Sequence, residues 1–205
     1  RLDDQRMTGP HALLASVLSR SREIRVPFDD GELVWREWGA DNAARPPLVM
    51  LHGGSGAWNH WVRNIPVLER RHRLLVADLP GCGDTDEPTR PYDAPKLAAI
   101  VSGAIDQVLP GDAPFDLISF SFGGVLSGLI AHDQARRIRS LTLIGVPILG
   151  LTGTGPANDL VEIPPDMPAE EAVPLYRRNL QNLMFGDPAA ADDLAVAIQA
   201  SNMQK

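Results

Sequence analysis

Two serines stand one residue apart in L-I-S-F-S-F-G-G-V-L-S-G, Leu117 to Gly128, at the end of an apolar run and just ahead of paired glycines. A serine at the tip of a tight strand-to-helix turn is exposed enough to act as a nucleophile, but the turn tolerates only small residues two before and two after it. Centred on Ser121, those neighbours are Ser119 and Gly123, with Gly124 following; centred on Ser119 they are Leu117 and Ser121, and leucine fits poorly. Ser121 is therefore the candidate nucleophile. The plainer alternative is a serine that merely starts a helix.

A second stretch, L-H-G-G-S-G-A-W from Leu51 to Trp58, fits the same chemistry. Attack on a carbonyl builds negative charge on its oxygen, and each preorganised backbone N–H aimed there is worth on the order of a hundredfold in rate. A glycine-rich turn exposes such groups with little steric hindrance. The donors expected are the amide of Gly54, or of Ser55, and that of Phe122, the residue after the serine. Neither a Gly/Lys/Ser phosphate loop nor a spaced dinucleotide fingerprint is present. A third stretch, D-L-P-G-C-G-D-T-D from Asp78 to Asp86, punctuates another tight loop. Its aspartates read more simply as structural: Asp78 satisfying backbone groups, Asp84 and Asp86 solvated.

Regular elements must position these stretches. Residues 8–22 suit a short helix, and Glu23–Phe28 and Glu32–Trp38 alternate about D-D-G as a β-hairpin. Continuous apolar runs follow at Pro47–His52, Arg73–Asp78, Phe115–Phe120 and Ser140–Val146, the pattern of strands buried on both faces. Trp58–Glu69, Asp93–Leu109 and Phe122–Gln134 suit crossover helices, which makes the sheet mostly parallel with an α/β layering. After Pro147 the chain turns Gly-, Thr- and Pro-rich. Then Ala172–Phe185 sets Val173, Tyr176, Leu180, Leu183 and Met184 on one helical face, and Asp187-Pro188 starts a further helix. The expected division is a core over 1–147 and a helical segment over 148–205.

Composition narrows the function classes. The 205 residues are 44% hydrophobic, enough for a real core, and carry a net charge of −7. That balance argues against nucleic-acid and anionic-membrane partners. The short clusters Arg70–Arg73 and Arg136–Arg139 read as solvated helix ends. The single cysteine, Cys82, excludes an internal disulfide and a multi-cysteine metal site. No apolar run approaches the ~18–20 residues of a membrane span, and no signal peptide stands at the N-terminus. The expectation is a soluble, cytoplasmic protein; its oligomeric state is left open.

The three motifs, in this order and spacing, resemble the α/β-hydrolase family over about Glu23 to Val146. The resemblance implies a three-layer α/β-hydrolase fold with the N-terminal hairpin leading a mostly parallel sheet. It implies Ser121 as nucleophile, His52-Gly53-Gly54 flanking the oxyanion hole, a helical cap begun by 148–205, and no cofactor or metal. Within the family it is closest to esterases, lactonases and carbon–carbon bond hydrolases of small molecules. The last group often carries Asn before its serine; Phe120 stands there, which weakens that assignment. Dehalogenases and epoxide hydrolases of this fold attack with an aspartate, so Ser121 argues against both. His52, Gly53, Ser55, Trp58 and Phe120 are the expected pocket residues, and an apolar pocket suits an apolar acyl or aromatic-bearing substrate.

A serine needs a base, and in this fold the order is Ser, acid, His. The only later histidine, His132, lies 11 residues on, about 16 Å along a helix. His52 is the rival, on a strand beside the one ending at Ser121. His11, His60 and His72 have no motif context. The chain therefore reads as a fragment of a longer hydrolase (EC 3 class), lacking the acid and histidine of the last two strands and leaving Ser140–Val146 as an apolar sheet edge. The alternatives are a non-catalytic small-molecule binder, and a cofactor-free haloperoxidase or acyltransferase using the same serine.

Overall fold

The computed structural model describes residues 9–42, 44–147, 160–164 and 166–203. It divides into two compact units, one of Val17–Leu151 and one of Arg1–Ser16 with Thr152–Lys205. A nine-residue helix, α1 (Pro10–Leu18), comes first. The Val17–Leu151 unit is built on a six-stranded sheet in the order β1-β2-β4-β3-β5-β6. β1 (Arg22–Phe28) and β2 (Gly31–Trp38) form the expected antiparallel hairpin. β2 pairs antiparallel with β4 (Leu74–Ala77). β4, β3 (Leu48–Leu51), β5 (Phe115–Phe120) and β6 (Ile138–Ile144) are mutually parallel. The mostly parallel α/β sheet led by a hairpin is thus what this sequence forms.

The continuous apolar runs form the inner strands. All four residues of β4 are buried, as are Val49, Met50 and Leu51 of β3. β6 departs from the expectation of burial on both faces, with Leu141 38% and Ile144 41% exposed. It is the edge of the sheet among the described residues. α3 (Ala94–Val108) is capped by Asp93, whose side chain accepts from the Lys96 amide. It buries Leu97, Val101, Ala104 and Ile105 in the same core as Trp35, Leu51, Phe115 and Leu126.

The expected helix over Trp58–Glu69 is instead a 3-10 turn, Trp58–Trp61, and a short α2, Ile65–Leu68. Pro66 has no N–H and its ring crowds a helix running into it, and here it stands in the first turn of α2. α4 (Phe122–Asp133) follows β5 directly.

The arginine clusters are exposed as expected at Arg70, Arg71, Arg136 and Arg139, and Arg73 and Arg137 are the exceptions. Arg137 is 8% exposed and donates to Asp106 at 2.6 Å. Arg73 and Arg22 each donate to Glu37, 2% exposed, at 2.6 Å. Arg139 pairs with Asp116.

In the other unit, α5 (Ala169–Leu183) and α6 (Asp193–Met203) share a small core of Leu180, Ala191 and Val196 with Tyr176 and Met184. Val173 and Leu183, expected on the buried face of α5, are 39% and 59% exposed. The start signal at Asp187-Pro188 gives only a 3-10 turn, Pro188–Ala190, with Asp187 accepting from the Ala189 amide. Most of the expected loop over 148–170 lies outside the described residues. No helix among them is long and apolar enough to cross a membrane.

Candidate active site

β3 has β4 on one side and β5 on the other, so the connections leaving these strands diverge. In open α/β sheets such a switch point leaves a crevice at the carboxyl ends of the strands. Both glycine-containing motifs fall there. Leu51 pairs with Ser119, so the loop from His52 and the turn at Ser121 leave adjacent strands side by side.

Ser121 occupies the sharp turn between β5 and α4 with φ +51° and ψ −117°. A residue with a Cβ pays about 1–3 kcal/mol for such a conformation, so its surroundings must enforce it. The Ser121 amide donates to the Ile144 carbonyl at 2.9 Å, and its own carbonyl accepts from Gly124 at 2.9 Å. Gly123 lets the first turn of α4 press on the end of β3: a Cβ there would lie 2.4 Å from the His52 carbonyl oxygen. On Gly124 it would lie 2.1 Å from a Val146 methyl. Ser119, two residues before, is fully buried. The small residues required by the sequence argument are thus each in a confined space.

The facing loop closes onto this turn. A Cβ on Gly53 would meet the Phe120 ring at 2.8 Å and the Ser121 Cβ at 3.1 Å. Ser55 has φ +49°, and it and Ser121 are the non-glycine residues with positive φ among those described. Gly54 is exposed, and a Cβ on it would meet only the Phe122 Cβ, at 3.9 Å. Gly54 and Phe122 therefore face each other. The Phe122 amide, at the first position of α4, has no partner within the helix by construction.

The loop from β3 is braced from beneath. His52 is fully buried; its Nδ1 lies 2.6 Å from the Gly53 carbonyl and its Nε2 accepts the Leu79 amide at 2.9 Å. Burial pushes the imidazole down to about 3, so the ring is neutral, and because Nε2 accepts the Leu79 amide the proton sits on Nδ1, which donates. Both nitrogens are occupied, which leaves His52 a brace with no lone pair for general-base work. Asp78, 1% exposed, accepts from the amides of Trp58 (2.6 Å) and Asp84 (3.0 Å). Burial raises its carboxyl above the ordinary range while those two hydrogen bonds pull it down.

Asp84 and Asp86, expected in solvent, are engaged with the hairpin. Asp84 accepts from Arg36 at 2.6 Å and Asp86 from the Glu32 amide at 2.9 Å. Trp58, an expected pocket residue, packs against Trp38 at 5.7 Å between centroids, with the Arg36 guanidinium over its ring. Phe120 is half-buried, against Gly53 and Gly145.

The remaining histidines divide by place. His132 is exposed on α4, and His72 precedes β4 at the opposite end of the strands. His11 belongs to the other unit. His60, which no motif singled out, lies with its ring edge-on to His52 and Phe120. The only sequence signal for it was position, eight residues after His52 in the turn that follows the glycines.

Residues 46–204 match the sequence model of the family described as alpha/beta hydrolase fold. The chain is 36% identical over 109 residues to the 2-hydroxy-6-oxo-2,4-heptadienoate hydrolase of Pseudomonas putida, covering 51% of this chain and 39% of that protein. It is 33% identical over 118 residues to the dihydrolipoyllysine-residue acetyltransferase component of an acetoin cleaving system from Pseudomonas putida, covering 58% and 31%. The chain thus spans well under half the length of these curated relatives. Among solved structures, the ligand-free epoxide hydrolase CorEH superposes with a TM-score of 0.65 at 19% identity, over 90% of this chain and 68% of that one.

Proposed function

The chain belongs to the alpha/beta hydrolase fold family, which holds diverse hydrolases of small molecules, and from that premise we propose a serine hydrolase acting on an ester, lactone or related carbonyl compound. The observation that carries the proposal is the strained Ser121 turn set beside the facing Gly54 and Phe122 residues. Backbone strain concentrates where a reacting group must be held in place. Ser121 Oγ attacks the carbonyl carbon, and its proton passes to a base. The Gly54 and Phe122 amides stabilise the oxyanion, the leaving group departs with a proton, and water hydrolyses the acyl-enzyme.

The proposal takes the base and its orienting acid from sequence outside these 205 residues. His52 has both nitrogens engaged, His60 has its Nδ1 buried in the notch at Gly56, His11 belongs to the other unit, and His72 and His132 are not at the carboxyl ends of β3 and β5. We also propose that residues 148–205 begin the cap segment that sets substrate choice.

The test is labelling of the full-length protein by a serine-directed fluorophosphonate. Label that disappears in Ser121→Ala supports the reading; a protein that is never labelled, or a label that survives the substitution, ends it. Acyl transfer to an acceptor other than water is a second outcome of the same acyl-enzyme, favoured by the similarity to an acetyltransferase component. Product analysis with and without an added amine or alcohol acceptor separates the two.

A further inference from the structure

His60 takes no part in the chemistry proposed above, yet its ring packs against both His52 and Phe120. It lies in the 3-10 turn Trp58–Trp61. Its imidazole stands edge-on to the His52 ring at 5.9 Å between centroids and 82° between planes. It stands edge-on to the Phe120 ring at 6.2 Å and 71°. It also fills the notch left by Gly56, where a Cβ would lie 2.3 Å from Cε1 and 2.6 Å from Nδ1. These neighbours belong to two different segments. His52 and Gly56 bound the loop that carries the Gly54 amide, whereas Phe120 immediately precedes Ser121 and the Phe122 amide.

The ring does this without polar help. Nδ1 is buried with no hydrogen-bond partner among the described residues. Burial also drives the imidazole down to about 4, so it is neutral near pH 7. A buried nitrogen left unpaired is a cost to the fold rather than a tether. What His60 supplies is a flat ring of the right size between two loops.

Resting on the serine-hydrolase reading, we infer that His60 is a positioning residue whose ring keys the Gly54 loop to the Phe120–Phe122 turn, fixing the separation of the two amides that receive the oxyanion. Such a role acts on the transition state more than on substrate binding. A displacement of about 1 Å in a preorganised site costs on the order of a hundredfold in rate.

The test uses the full-length protein with His60→Ala and His60→Phe, and Ser121→Ala as control. Titration with a fluorophosphonate counts competent sites, and kcat and KM for a p-nitrophenyl ester are then expressed per titrated site. That normalisation removes any loss of folded protein. For His60→Ala, kcat per site is expected to fall roughly 10- to 100-fold with KM within about threefold. His60→Phe, which restores a flat ring, should return kcat to within about threefold of the parent. If His60→Ala does not fold, His60→Leu replaces it, with the same order expected against His60→Phe. A parental kcat per site in the Ala or Leu variant, or a Phe variant no better than either, overturns the role of His60 alone. An unlabelled parent protein, or a label that persists in Ser121→Ala, removes the serine-hydrolase reading and this inference with it.

Discussion

At the amino ends of the parallel strands, Glu37 lies between Arg22 and Arg73, Asp116 is held by Arg139 and Ser140, and Arg137 reaches Asp106. Glu37 and Asp116 are buried and each is answered by a cation, and in the third pair it is Arg137 that is buried. At the carboxyl ends of the same strands the pattern reverses. Ser55 and Ser121 have positive φ, Ser119 Oγ and His60 Nδ1 are buried without partners among the described residues, and two imidazoles are held neutral. One end is built for stability. The other carries strained serine conformations that stability alone would remove, which is where a site that must hold a reacting group is expected.

The sharpest break between the two ends comes at Ser121. In the full-length protein, Ser121→Ala should lower kcat/KM for an ester by about 10⁴-fold or more and leave the melting temperature almost unmoved. Ser121→Gly should be equally inactive yet more stable, by about 1 kcal/mol, because glycine adopts φ +51° without strain. Urea titration of both variants checks this. A Gly variant less stable than the Ala variant would mean that the turn is not strained.

Glu37→Ala should do the opposite at the other end. Removing one partner of a buried ion pair costs about 3–5 kcal/mol. The lower figure is expected, because Arg22 is 66% exposed and can turn to water. Activity per titrated site should not change. Loss of specific activity with retained stability would erase the division between the ends.

Acid separates the two ends by pH window. Both states of His60 are neutral above pH 6.5, so it gives no pH dependence there. Below 6.5 the unfolded chain takes up a proton that the buried ring refuses until about pH 4, so stability falls as pH falls through that window. Over 6.5 − 4 = 2.5 units this amounts to at most about 3 kcal/mol, and His52, held down to about 3, extends it further. Asp116 works at lower pH: its hydrogen bond to Arg139 holds its carboxyl below the usual 3.8, so its stabilisation is lost only as pH drops through that lowered value. His60→Phe should therefore lose less stability than the parent between pH 7 and pH 4.5, by about 2 kcal/mol. Equal losses in the two proteins would show that His60 titrates freely.

Much of this architecture is legible in the sequence, for local reasons. D-D-G sets the hairpin, continuous apolar runs mark the inner strands, and the small residues around Ser121 are dictated by the turn itself. What is not legible depends on partners distant along the chain. Nothing near Asp84 announces that Arg36, 48 residues earlier, would claim it. The apolar spacing of α5 does not tell that Val173 and Leu183 stay exposed while Leu180 is buried. His60 escaped because its neighbours, His52, Gly56 and Phe120, meet only when β3 and β5 pair.

The smallest effects test the crevice glycine by glycine. A Cβ on Gly123 would lie 2.4 Å from a main-chain oxygen of β3, which cannot yield without moving the strand or the helix. Gly123→Ala should therefore cost about 1–3 kcal/mol and reduce activity, since the turn carrying Ser121 moves with α4. Gly54 stands a few ångströms away on an exposed loop, with only the Phe122 Cβ near it, at 3.9 Å. Gly54→Ala should leave stability within about 0.5 kcal/mol, and its effect should appear instead as a changed preference between small and bulky acyl groups. Thermal melts of the two variants, with rates on acetyl and longer-chain p-nitrophenyl esters, make the comparison. If Gly54→Ala melts as early as Gly123→Ala, the Gly54 loop is packed rather than open.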